Sequence, residues 1–367
     1  MTDVAIIGAG ITGLACAYRI ASLGARVVVL ERHAGAPDAA SRAAAGMLSA
    51  QLERHELDSM ASLCKDSRDR HLTLIPEIER ETGIDVDHRA IGALRVAFDD
   101  DDEAELDTLF VEQRRRGWAA ERVDATAARR LEPFLGEVRG ALWLPDERVV
   151  DPPRLVEALT DACHRRGVVF VEGTEVRGMH ALTADLRKLE FTNGEFLEAR
   201  EVVVAGGAWS AALSGTGIEG LVRPIRGQML ELRHTKVPRA LLEGPGGYLS
   251  PRSDGRVLVG STLEDVGFER AVTAGAASRL MSAGLRMAPE LAQALLSNHW
   301  CGFRAATSDK LPLLGRTSTG VIAATGQYRN GILLAAATAD AVAALVAGTP
   351  LPFDLSPFAP ERFSTKA

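Results

Sequence analysis

The sequence predicts an α/β protein in which a domain with a parallel sheet covered by helices joins a second α+β domain with a mostly antiparallel sheet. Three observations predict it. Residues 4–7 are a short apolar run, followed by a glycine-rich turn, a helix-like stretch GLACAYRIASLG that stops at Gly24, and the β-branched run RVVVL. Strand, turn, helix and strand in that order make a βαβ unit. From residue 221 the pattern changes to strands and turns, IRGQMLEL, GGYLSPR and GRVLVGST, as in an antiparallel sheet. After about residue 300 the strand VIAAT and the helix NGILLAAATADAVAALVAG return the chain to the first domain.

The intervening elements fit this frame. SRAAAGML begins at residue 41 and leads into a charge-rich helix through about residue 81; ALRVAF at 93–98 reads as a strand, and the acidic run 99–105 as a solvated turn and helix start. Residues 152–168 read as a helix, followed by the strand VVFVE and by EVVVAGGAWS at 201–210, which rejoin the first sheet. A chain of 367 residues exceeds what one core usually supports. The predicted division is 1–85, 145–215 and 300–367 for the first domain, and 86–144 and 216–299 for the second.

Composition narrows the function. Hydrophobic residues at 46%, charged residues at 25% and a mean hydropathy of +0.02 suit a globular protein. The net charge of -7 comes without a basic block, which argues against nucleic acid and for small molecules as partners. Cys16, Cys64, Cys163 and Cys301 are scattered without a CxxC pair, so they read as reduced, buried thiols of a cytoplasmic protein with no metal site. The opening residues lack a basic n-region, so export is not expected. Arg19 and Asp340 interrupt the two most apolar stretches, which predicts buried helices and no membrane span.

Gly8, Gly10 and Gly13 form GxGxxG between the first strand and helix. The first permits the tight turn, the second lets a pyrophosphate approach the backbone, and the third lets helix pack on strand. Ile11 and Thr12 then stand at a helix N-terminus, where free N–H groups and the macrodipole favour phosphate. Glu31 closes the second strand about twenty residues on, where a carboxylate accepts hydrogen bonds from an adenosine ribose. It repels a 2′-phosphate, although Arg32 beside it leaves a small opening for one. An adenine dinucleotide is predicted; these residues alone do not choose between nicotinamide and flavin.

Four blocks make that choice: IIGAGITGLACAY with Glu31, SRAAAGMLSA at 41–50, VVVAGGAWS at 202–210 and GQYRNGILLAAATA at 326–339. On these blocks nearly the whole chain resembles the D-amino-acid-oxidase-like flavoproteins, and within them the glycine oxidase (ThiO-type) branch. The resemblance implies a Rossmann-type domain binding FAD. In similar proteins the loop of Ser41, Arg42, Ala44, Ala45, Gly46 and Met47 runs under the flavin, where small side chains let the backbone approach a planar ring. Val176 is implied to meet the adenine, and Gly207 and Trp209 to belong to the same site. Gln327, Tyr328, Arg329, Asn330, Gly331, Ile332 and Leu333 are implied to bring a helix N-terminus to the flavin, where it stabilises negative charge on the reduced ring.

Three residues are implied to meet substrate. Arg329 precedes a helix N-terminus, where a cation is unfavourable unless an anion is delivered to it. In similar oxidases the arginines matching Arg304 and Arg329 hold the substrate carboxylate, which a planar fork suits, and Tyr248 matches a tyrosine bonded to the same group. Read without the resemblance, Arg304 is a surface strand residue and Tyr248 an edge-strand aromatic. The chain departs from the family where RPG is replaced by Arg304-Ala305-Ala306 and where Gly246 and Gly247 replace bulkier residues. Both changes are expected to open the pocket on the nitrogen side, toward an N-substituted glycine such as sarcosine or a larger N-carboxymethyl amine. Sarcosine oxidase relatives attach flavin to a cysteine near the position of Gly302; Cys301 is one place away, so noncovalent FAD is expected.

The implied chemistry is oxidation of the Cα–N bond of glycine or an N-substituted glycine by hydride transfer to flavin. The imine hydrolyses to glyoxylate and ammonia or an amine, and O2 is reduced to H2O2. The alternative within the family is a D-amino acid oxidase or dehydrogenase that passes electrons to a quinone. A nicotinamide-dependent dehydrogenase leaves SRAAAGML and RNGILLA without a role, and the acidic charge disfavours a tRNA-modifying module. No acid–base side chain is demanded. Similar oxidases are often homo-oligomers, an assembly the sequence leaves open.

Overall fold

The computed structural model describes residues 2–35 and 40–363. Strand β1 (Thr2–Ile7), helix α1 (Ile11–Ala21) and strand β2 (Val27–Leu30) form the βαβ unit, with Val4 opposite Val27 in a parallel ladder. The ladder extends to Val169–Val171 beyond β2 and to Phe196–Val204 beyond β1, and then to Ile322–Thr325. Val176–Thr183, Leu186–Phe191 and Leu313–Arg316 add antiparallel strands, which makes eight in all. The strand expected over residues 201–210 ends at Val204, because Gly207 turns to φ +57 and the chain coils into the 3-10 turn Gly207–Ala212.

A parallel sheet must be covered on its faces, and α1 is accordingly buried almost all round, through Leu14, Ala15, Cys16, Ala17, Tyr18 and Ile20. Its small side chains meet the alanine-rich face of helix Gly331–Ala347, and helices Asp58–Thr82 and Pro152–Arg165 complete the same core. Helix α1 lies very close to the turn that follows β1. A Cβ built on Gly13 stands 2.0 Å from the Gly8 carbonyl oxygen. Among the described residues no helix is long and apolar enough to cross a membrane.

Helix Asp58–Thr82 also grips the opening of helix Gly331–Ala347 by polar contacts. The Ser67 hydroxyl donates to the Leu333 carbonyl at 2.6 Å and accepts from the Ala337 N–H at 3.1 Å, so it is inserted into one helical hydrogen bond. One turn on, His71 Nε2 lies 3.1 Å from the carbonyls of both Ile332 and Leu333 and is therefore the protonated nitrogen.

The second sheet also has eight strands, in the order Leu295–Ala306, Arg223–Arg233, Arg256–Gly260, Gly247–Pro251, Leu241–Gly244, Ala93–Ala97, Gly140–Leu144 and Glu121–Asp124. Only the Leu241–Gly244 to Ala93–Ala97 pairing is parallel. Leu295–Ala306 pairs with Arg223–Arg233 along its length, so this sheet reaches past residue 300. Leu230, Leu249 and Val259 pack against Leu280 and Met287 of helix Ala274–Met287. Side chains alternate across a strand, so Tyr248 and Ser250 turn from that helix toward the first sheet. Tyr248 is 9% exposed and lies in an inner strand, not at an edge.

Two measurements test this packing. Gly13→Ala is expected to cost roughly 3 kcal/mol, the upper end for overpacking, read as a lower urea midpoint. Burial pushes the His71 ring down to about 4 from 6.5, against the pull of its two carbonyl partners. The folded chain therefore binds fewer protons there than the unfolded one. The stabilisation tied to the neutral ring is complete above pH 6.5 and is lost as pH falls toward 4, by on the order of 3 kcal/mol. His71→Gln should flatten the slope of unfolding free energy between pH 7 and pH 5; an unchanged slope would assign it to other groups.

Candidate active site

The C-terminal ends of β1, β2 and Phe196–Val204 open on a cavity of about 440 Å³ between the two sheets, where open α/β sheets take their ligands. Gly8, Gly10, Ile11 and Thr12 form one end. Gly10 caps α1 without a side-chain bond, and the Ile11 N–H is taken by the Ser41 hydroxyl at 2.9 Å. The next N–H groups of α1 have no partner within the helix and face the same end. Glu31, 7% exposed, accepts from the Ala9 N–H at 2.9 Å through Oε2 and from the His33 N–H at 3.0 Å through Oε1. That fixes the carboxylate and leaves lone pairs for a ligand. The Arg32 guanidinium lies 3.8 Å over the Trp209 ring, which stacks on Phe268 with centroids 4.9 Å apart. Val176 and Gly207 border the same end.

The AAAGM loop crosses the middle of the cavity, pinned from the second sheet. Ser250 donates to the Ala45 carbonyl at 3.1 Å, the fully buried Arg252 donates to the same oxygen, and Trp300 Nε1 donates to the Ala43 carbonyl at 3.2 Å. Burial lowers the Arg252 guanidinium to about 10. Gly46 has φ +65, and a Cβ there would stand 1.9 Å from the Val150 carbonyl. Ala44, Ala45, Gly46 and Met47 all lie on the wall.

Arg304, Arg329 and Tyr248 meet at the other end. Arg304 donates to the Thr262 carbonyl at 3.0 Å and to Ser261 Oγ at 2.6 Å, and burial lowers its pKa. It has room only because residue 227 is glycine: a Cβ there would meet the guanidinium at 2.2 Å. Tyr248 depends likewise on Gly260, whose Cβ would stand 2.4 Å from the phenol oxygen. Arg329 Nε is 2.8 Å from Glu53 Oε1. Burial works against its charge, but Glu53 and Glu243 together raise its pKa. Tyr328 beside it holds φ +50, a left-handed conformation unusual for a non-glycine residue, with its N–H donating to the Ala305 carbonyl at 2.8 Å.

Most of the sequence-derived residues share this one wall: besides those above, Gln327, Asn330, Gly331 and Ile332 border it. Three do not. Gly13 faces the Gly8 carbonyl and acts in packing; Leu333 is buried against helix Asp58–Thr82; Arg42 borders a neighbouring hollow with Glu157 and Asp161. The expectation that Gly246 and Gly247 open the pocket is corrected. Neither lies on the wall, and both approach Ala283 of the covering helix. Glu53, Glu243, Gly227 and Gly260 were missed by sequence reasoning. Arg329 beside a helix N-terminus signalled an anion, and the chain itself supplies one in Glu53.

Known proteins match the chain over nearly its whole length. The model of the family described as DAO, FAD dependent oxidoreductase, matches residues 3–345. The chain is 33% identical to the glycine oxidase of Geobacillus kaustophilus over 98% of its own length and 97% of the relative's. The crystal structure of glycine oxidase from that organism superposes with a TM-score of 0.92 over 97% of both chains. Iminodiacetate oxidase from Chelativorans sp. BNC1 gives a TM-score of 0.89 at 28% identity, covering 97% of this chain and 98% of that one. The bifunctional protein ThiO/ThiG of Synechocystis sp. is 34% identical over 99% of this chain, which spans 54% of that relative's length.

The cavity fits FAD on its own terms. Two helix N-termini, at Gly10 and Asn330, reach it without side-chain caps, and Gln327 Nε2 is a buried donor on its wall with no hydrogen-bond partner. A direct test of the opposite end is Gly227→Ala, which should displace Arg304. Binding of a small carboxylate such as glycolate is expected to weaken roughly tenfold to a hundredfold, the range for losing one charge-assisted hydrogen bond, while bound flavin is retained. Unchanged glycolate affinity would remove Arg304 from the carboxylate site.

Proposed function

Because this chain belongs to the DAO family of FAD-dependent oxidoreductases, we propose that it oxidises the Cα–N bond of glycine or an N-substituted glycine, with glyoxylate and ammonia or an amine as products and O2 as electron acceptor. The observation that carries this reading is the meeting of Arg304, Arg329 and Tyr248 on the wall of the cavity whose far end bears the glycine turn and Glu31. Two guanidiniums and a phenol match a carboxylate in donor number, with Glu53 offsetting one of the two cations. Noncovalent FAD is part of the proposal, since Gly302 and not Cys301 borders the cavity.

The bound flavin supplies an oxidised ring that accepts a hydride. The side chains of the chain bind and orient. Arg304 and Arg329 fix the carboxylate, which limits where the attached α-carbon of a small amino acid can lie, and Tyr248 adds a third donor. Holding the reacting carbon in one orientation supplies most of the rate, as in other intramolecularly positioned reactions. Room on the nitrogen side comes from Ala305 on the cavity wall, and the likeness to iminodiacetate oxidase supports a larger N-substituent.

Anaerobic mixing of the yellow protein with glycine, sarcosine and a longer N-carboxymethyl amine should bleach the flavin absorbance with at least one of them. Admission of air should then restore the colour with formation of peroxide. Restoration by a quinone alone would replace the oxidase reading with a dehydrogenase. Arg329→Ala is expected to raise the apparent substrate constant roughly tenfold to a hundredfold, the range for losing one charge-assisted hydrogen bond, with flavin still bound.

A further inference from the structure

Glu243 has no part in the reading above, yet it borders the cavity beside the carboxylate clamp. Its strand, Leu241–Gly244, sets it directly opposite Tyr248, on the same face of the sheet, with Arg95 as its neighbour on the other side. Glu243 Oε2 is buried and has no hydrogen-bond partner. Arg95, the nearest cation, does not clamp it: Arg95 Nη1 donates to the Leu52 carbonyl at 2.6 Å and Nη2 to Glu105 at 2.6 Å, which leaves Glu243 at 3.7 Å. A carboxyl placed at a ligand wall and left without a donor is costly to keep ionised and gains by binding a proton.

Resting on the amine-oxidising reading, we propose that Glu243 is the proton acceptor for the substrate ammonium. Charge balance beside the clamp favours that route. With Glu243 ionised, the clamp holds two cations, Arg304 and Arg329, and two anions, Glu53 and Glu243. A zwitterionic amino acid adds no net charge. If one ammonium N–H bond then breaks, its proton bonds to a Glu243 oxygen and its electron pair stays on nitrogen. The amine is now neutral, the carboxylate sits on the arginines, and the total is unchanged. Binding the amino acid as its anion instead would leave one uncompensated negative charge beside Glu243, which is expensive at low dielectric.

The freed lone pair forms the C=N bond as the α C–H leaves with both its electrons as hydride to the oxidised flavin. The substrate thereby loses one proton and one hydride, and Glu243 returns its proton to solvent when product departs. The groups that set the acceptor's strength come from every element around it. Burial raises Glu243 to about 7; Arg95 opposes, Glu53 adds to the rise, Arg329 opposes, and Glu105 adds a smaller rise. That places it where a proton acceptor works best at neutral pH.

Two measurements on the flavin-loaded protein test the assignment. In wild type, the rate constant for flavin reduction divided by the glycine constant should rise with pH through one ionisation near 7. In Glu243→Gln that ionisation should vanish, with the rate at pH 7 lower by about a hundredfold and recovering at alkaline pH as glycine loses its own proton; Glu243→Asp should keep it. The second reads binding without turnover. Glycolate carries the carboxylate but no ammonium, so calorimetry at pH 8 in buffers of different ionisation heat should show about one proton taken up per glycolate bound by wild type and none by Glu243→Gln. The same pH profile or the same proton uptake in the two proteins overturns the assignment. Failure of every amine to reduce the flavin would instead strike the amine-oxidase reading, and the glycolate result would still judge Glu243.

Discussion

The structure hangs on how closely helix α1 can approach the turn that follows strand β1. Only a residue without a Cβ at position 13 lets the helix lie against the Gly8 carbonyl, and that approach sets the direction of the helix axis. Everything at the dinucleotide end follows from it: where the free N–H groups of α1 face, how far Ser41 must reach to bond Ile11, and how Glu31 comes within reach of the Ala9 N–H. The second N-terminus at the cavity, that of Gly331–Ala347, is located by contact with α1 and by the Ser67 and His71 bonds from helix Asp58–Thr82. Two partial positive charges thus converge on one space.

The second sheet contributes differently. It presents one face to the cavity, and along that face glycines alternate in function with the side chains they admit. Gly227 makes room for Arg304, and Gly260 for Tyr248. The same face pins the loop under the cavity through Ser250, Arg252 and Trp300. Arg304, Tyr248 and the loop therefore share one support, so a change that tilts a strand of this sheet moves them together, while Arg329 is carried separately by the turn before helix Gly331–Ala347. Rigid elements hold such constellations more accurately than loops do.

What was legible in the sequence divides along physical lines. The βαβ unit, the glycine fingerprint and the long helices at 58–82 and 331–347 could be read because each obeys a local rule of period, backbone sterics or dipole. Arg304 and Tyr248 look like ordinary strand residues locally; only the resemblance of the surrounding blocks marked them. Glu53, Glu243, Gly227 and Gly260 were invisible because their roles arise from cross-strand register and from loops brought together from distant parts of the chain. Gly246 and Gly247 show the opposite error: neighbours of Tyr248 in sequence, they face Ala283 because a strand turns successive residues to opposite sides and the preceding turn leaves the wall.

The pairing of α1 with helix Gly331–Ala347 has a consequence for biogenesis. Each buries the small-residue face of the other, yet one emerges from the ribosome early and the other late. At ordinary elongation rates the interval is on the order of tens of seconds. Throughout it the nascent β1–α1–β2 unit holds apolar surface that nothing native can cover. The parallel strand Ile322–Thr325 is equally late. Truncation by a premature stop before residue 331 would thus expose the oldest part of the chain, and the nascent polypeptide is a natural client for chaperones that shield such surface until synthesis reaches the last helix.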